Sequence, residues 1–182
     1  MKRRSSESKV QTKKLATAAM LCALGVVFLY LGAVVTVLDL TMVALVSFFV
    51  FFAVIEMGNP FPLLIYAVTG ILSVLILPDK FGAITYLLFG GVYPIVKAVF
   101  ERLHPVIAWI LKLSFFNTVL SLLIAVTLFV LKMEDSDLGF NVIVYAVSNL
   151  TFLLYDVMTT QVITLYLVKL RKRLRIEKYF EK

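Results

Sequence analysis

Long apolar runs separated by short polar breaks set the pattern of this chain. The first run covers residues 15–38, where Asp39 interrupts it, and a second covers 41–57. The cluster Gly58-Asn59-Pro60-Phe61-Pro62 then reads as a turn, because proline and glycine punctuate regular structure. A third run, 63–77, closes at Pro78-Asp79-Lys80. The fourth, 81–100, is followed by Glu101, Arg102 and His104, and the fifth is 105–131. Pro105 stands at a first-turn position, where a missing N–H costs nothing. The most polar internal loop is Lys132-Met133-Glu134-Asp135-Ser136-Asp137. The sixth run begins near Phe140 and continues to about Leu170, longer than one crossing needs. None of these runs alternates apolar and polar residues, as the strands of a membrane barrel do. A helical crossing needs about 20 apolar residues. The pattern therefore predicts an all-α integral membrane bundle of six transmembrane helices.

Composition agrees with lipid as the surrounding medium. Of the 182 residues, 62% are hydrophobic, whereas a soluble domain is roughly half apolar. Six crossings leave no room for a separate soluble domain. The expected organisation is a flexible basic tail over 1–13, a transmembrane domain over 14–170 and a second basic tail over 171–182. The basic start resembles a signal peptide, but the apolar run after it is too long and lacks a small-residue cleavage site. It reads as a retained first helix.

Charge gives the orientation. The net charge is +7, and the positive residues gather at the ends: Lys2, Arg3, Arg4, Lys9, Lys13 and Lys14 before the first run, and Lys169, Arg171, Lys172, Arg173, Arg175, Lys178 and Lys182 after the last. Lys97 and Arg102 flank the middle loop. Asp79, Glu134, Asp135 and Asp137 fall in the intervening loops, with only Lys80 and Lys132 beside them. Basic residues mark the cytoplasmic side, so both termini are expected in the cytoplasm of a bacterial cell. The same placement assigns the positive charge to topology and anionic lipid heads rather than to nucleic acid. Cys22 is the only cysteine, which excludes an internal disulfide and a cysteine-based metal site. It reads as a small packing residue.

Ionisable groups within membrane helices are costly and therefore candidate sites. Counting along the helices places Glu56, Lys97, Lys112 and Asp156 in the cytoplasmic third, as a self-neutralising structural network or as a proton or ion relay. The other half offers Tyr86 and Tyr93 on the fourth helix, Asn117 with Ser121 on the fifth, and Asn141, Tyr145 and Asn149 at four-residue spacing on the sixth. Converging faces of this kind make an aromatic-lined pocket for a small organic solute. Alternatively, they serve as hydrogen-bonding glue between helices. Gly90-Gly91-Val92-Tyr93-Pro94 weakens the fourth helix and predicts a kink. Ala19 and Ala23 form a small-xxx-small pattern that lets another helix approach closely.

A basic tail leading into a helix with Ala19-x-x-x-Ala23, six short helices, and a Lys/Arg-rich end together resemble the substrate-binding S components of energy-coupling factor (ECF) transporters. The stretch Phe89-Gly90-Gly91-Val92-Tyr93-Pro94-Ile95-Val96-Lys97, ending in Glu101-Arg102, is similar to a segment of uncharacterised S-component-like proteins of Gram-positive bacteria. The resemblance implies capture of a vitamin-like solute. It also implies docking of Ala19 and Ala23 on a membrane coupling protein driven by ATPase subunits. Metal-binding members carry a histidine-bearing N-terminus, which has no counterpart here, so neither a metal nor a cofactor is expected. No GxxxxGK[ST] loop is present, so the chain brings no nucleotide site of its own. Tyr155-Asp156 resembles one motif of intramembrane aspartyl proteases, but the Gly-x-Gly-Asp partner is missing, and an enzyme is not expected. A ligand-free structural or regulatory subunit is the alternative.

Overall fold

The computed structural model describes residues 2–129 and 141–171, and among them every regular element is helical. The chain divides into two compact units, residues 14–134 and residues 1–13 with 135–182. The expected polar loop 132–137, the start of the sixth run near Phe140 and the basic tail beyond Arg171 lie outside the described residues.

Helix α1 spans Lys2–Val34, so the polar stretch expected as a flexible tail is helical. Its residues are mostly good helix formers, and no proline or glycine interrupts them before Gly25. A 3₁₀ turn, Thr36–Leu38, leads directly into α2, Asp39–Glu56. Gly58 ends α2: its φ of 67° is easy only for glycine, and its N–H reaches back to the Ala53 carbonyl at 3.1 Å. Helix α3, Phe61–Ile76, starts with Pro62 in its first turn. It ends where the Lys80 ammonium donates to the carbonyls of Val74 and Leu77, at 2.8 and 2.6 Å. Asp79 caps α4, Lys80–Thr85, by accepting from the Phe81 N–H at 3.2 Å.

The fourth run is broken where the glycines and Pro94 predict. Helix α4 passes into a π-helical turn, Tyr86–Gly90, and resumes as α5, Tyr93–Phe100. Backbone bonds from Glu101, Arg102 and Leu103 to Lys97, Val99 and Phe100 wind the end of α5 into a tight turn. Helix α6, Pro105–Phe129, follows. In the smaller unit, α7 spans Val142–Leu165, is capped by the Asn141 side chain, and is prolonged by a second π-helical turn, Tyr166–Leu170.

Among the described residues, five helical stretches are long and apolar enough to cross a membrane: Ser8–Val34, Asp39–Glu56, Lys80–Phe100, Pro105–Phe129 and Val142–Leu170. The third predicted crossing is shorter, 16 residues in α3. At 1.5 Å per residue it covers about 24 Å, less than the ~30 Å of a bilayer's hydrocarbon core.

Within residues 14–134, α2 is the hub, packing on α3, α4, the π-turn and α5. The core joins Leu29 and Ala33 of α1, Val43 and Val46 of α2, Leu77, Ala83 and Tyr86. Glycines set the spacing. A Cβ at Gly25 would stand 3.1 Å from Thr69 and Val46, so α1 approaches both neighbours at that point without a side chain between. This unit buries polar groups beside its apolar core and presents large apolar side chains outside. Asp39, Ser47, Thr69, Ser73, Thr85, Lys97 and Lys112 are buried, while Met20, Ile71, Leu75 and Ile110 are exposed. A water-soluble fold rarely presents so much large apolar surface. The helices and this distribution fit a multi-pass membrane protein.

Candidate functional site

A charged constellation forms where α5 turns into α6. Lys97 lies in the last turn of α5, and Glu101 follows four residues later, on the same face. The turn then reverses the chain, and Lys112 sits about two turns into α6. Both ammonium groups reach one carboxylate oxygen: Glu101 Oε1 lies 3.1 Å from Lys97 Nζ and 3.0 Å from Lys112 Nζ. The lysine side chains are 1% and 6% exposed and that of Glu101 is 43% exposed. The carboxylate thus stands between two buried cations and the outside. Tyr93 and Trp109 place their rings 5.9 and 5.2 Å from Lys97 Nζ and Lys112 Nζ, adding ring-face attraction.

Of the predicted charge network, the structure joins Lys97 and Lys112, and the joining group is Glu101. Glu101 stands just past the fourth apolar run, and its i,i+4 spacing from Lys97 is the signal that pairs them. Glu56 closes α2 and is half-buried. Beside it, Lys14 Nζ donates to the Met57 carbonyl at 2.7 Å and lies 5.9 Å from the Phe61 ring. Asp156 belongs to α7, in the smaller unit, where its main-chain carbonyl accepts from the Thr160 hydroxyl at 2.8 Å.

The predicted pocket residues behave differently. Tyr86 and Tyr93 are fully buried. Tyr93 stacks on Phe89 and Phe115 at 5.1 and 6.4 Å between centroids and meets Phe51 edge-on at 6.5 Å. Aromatic rings from four segments pack together here. Asn117 donates to the Leu113 carbonyl at 2.8 Å, and Ser121 donates to the Asn117 carbonyl at 2.8 Å. In the smaller unit Asn149 donates to the carbonyl of Tyr145 at 2.8 Å. Each of these amides has a bond to its own helix.

The core also holds a polar layer, in which the sequence points to Tyr86 but not to Thr69 or Ser73. Thr69 of α3 neighbours both Cys22 of α1 and Tyr86 of the π-turn. The Thr69 and Tyr86 hydroxyls are buried beside one another, and the Thr85 hydroxyl and Asp39 Oδ1 are buried without hydrogen-bond partners. Ser73 donates to the Thr69 carbonyl at 2.6 Å, and the Tyr66 hydroxyl donates to the Leu87 carbonyl at 3.1 Å. Single hydroxyl residues within apolar runs leave little trace in a hydropathy pattern.

On α1 the two alanines of the predicted docking motif, Ala19 and Ala23, are exposed, as is Ala16. Ala18, Cys22 and Gly25 face inward. Among the described residues no group of three or more His, Cys, Asp or Glu side chains is placed to hold a metal ion. What the fold defines is an all-helical protein with several helices suited to a bilayer. No family model, curated protein or solved structure matches the chain.

Proposed function

We propose that this chain is a membrane-embedded subunit of an importer, of the type found as the S component of ECF transporters. It takes a small vitamin-like solute and depends on a partner coupling protein and its ATPases for energy. In this reading the chain crosses the bacterial cytoplasmic membrane six times with both termini inside, and α3 spans a locally thinned bilayer. The single observation that carries the reading is the outward position of Ala19 and Ala23. Two exposed small residues one turn apart on a membrane helix offer a partner helix a close approach without side-chain rearrangement. Full burial of Tyr86 and Tyr93 favours the second reading, a ligand-free structural or regulatory subunit, because a solute would have to displace packed rings.

Co-purification from native membranes tests the first reading. Wild-type protein is expected to bring down a multi-pass coupling protein with two ATPases. Ala19→Trp and Ala23→Trp should each reduce that recovery at least tenfold with thermal unfolding unchanged, since both side chains point away from the core. Recovery unaffected by either tryptophan would defeat the docking assignment. Thermal stabilisation by a member of a vitamin panel separates solute capture from the ligand-free alternative.

A further inference from the structure

The segment 80–100 is a membrane-length helical stretch whose hydrogen-bond ladder is interrupted at one place by three independent features. The π-turn replaces the usual four-residue bond with a five-residue one, from the Gly91 N–H to the Tyr86 carbonyl at 2.8 Å. Pro94 has no N–H to offer the Gly90 carbonyl four residues earlier. Gly90 and Gly91 carry no side chain to stiffen the backbone between them. Elsewhere in the bilayer such a break would expose carbonyls to lipid at considerable cost. Here a neighbouring helix covers it. The Tyr66 hydroxyl of α3 donates to the Leu87 carbonyl inside the π-turn, the Leu87 side chain seats against Gly70 of α3, and the Tyr66 ring lies over Gly91. The arms on either side are held by different groups. The first arm, α4, is fixed by its Asp79 cap and by Gly82 against Asp39. The second arm, α5, carries Lys97 and Glu101.

We propose that residues 86–91 form a hinge, and that the Tyr66 hydroxyl is its latch. With the latch closed, α5 is held so that Lys97 and Glu101 meet Lys112. With it open, the π-turn is free to rearrange, and α5 moves relative to α4, carrying the lysine–glutamate pair with it. Tyr66 is the positioning residue of this device, and its role is independent of which solute or partner the chain serves.

Hydrogen exchange of the full-length protein in lipid nanodiscs tests the hinge. Tyr66→Phe removes the latch and keeps the ring. It should accelerate exchange in peptides covering 86–94 by about fivefold, the equivalent of one neutral hydrogen bond of ~1 kcal/mol, while α2 remains unchanged. Pro94→Ala restores the missing donor and should slow exchange of the same peptides. Ser73→Ala, which removes a buried hydroxyl bonded within α3 itself, should leave them unchanged. Equal acceleration of every helix by Tyr66→Phe, or no change at 86–94 in either Tyr66→Phe or Pro94→Ala, would overturn the proposal.

Discussion

The larger unit buries ionisable groups at both ends, by different means. At the α5–α6 end, Lys97, Glu101 and Lys112 form a shared network, with one carboxylate oxygen serving two ammonium groups and two aromatic rings beside them. At the opposite end Asp39 is buried as the first residue of α2, with Oδ1 unpartnered and its carboxylate pressed against the bare backbone of Gly82. The first arrangement offsets desolvation with ion pairing. The second relies on space that only a glycine leaves. A paired cluster is held by its own attractions, whereas a carboxyl group seated against bare backbone depends on one missing methyl group.

That contrast can be broken at three positions. The largest effect is expected from Gly82→Ala, whose Cβ would overlap the Asp39 carboxylate. Overpacking of this kind should cost about 3 kcal/mol in denaturant unfolding from mixed micelles, and Asp39→Ala in the same chain should recover most of it. An additive double mutant would show that the two residues do not share the strain. Next comes Glu101→Gln, expected to cost about 2 kcal/mol. Breaking a fully buried pair costs more, about 3–5 kcal/mol, but Glu101 is 43% exposed and partly screened. Raising salt should change that loss little, because the lysines are buried. A mutant as stable as wild type would reduce the network to a surface contact. The smallest effect belongs to the orphan hydroxyl between the two ends. Thr85→Val deletes a buried hydroxyl without a hydrogen-bond partner, so stability should rise by up to about 1 kcal/mol. A loss above that size would reveal a partner for the hydroxyl.

Some of this was legible from residue order alone. Long, numerous apolar runs point to helices that fit a bilayer, because backbone groups in lipid must be satisfied within each segment. The break at Gly90-Gly91-Val92-Tyr93-Pro94 is likewise local chemistry, and it appears in the structure as the π-turn and the gap before α5. Lys97 and Glu101 share a face through simple helical spacing. Tertiary structure alone decided the rest. That Lys112 joins them depends on how tightly residues 101–104 turn. That Asp39 meets Gly82, or Tyr66 meets Leu87, depends on the rotation of one helix against another. Periodicity tells which residues share a helix face but not which neighbour that face meets, since the match between helices is set by ridges, grooves and missing side chains on both partners.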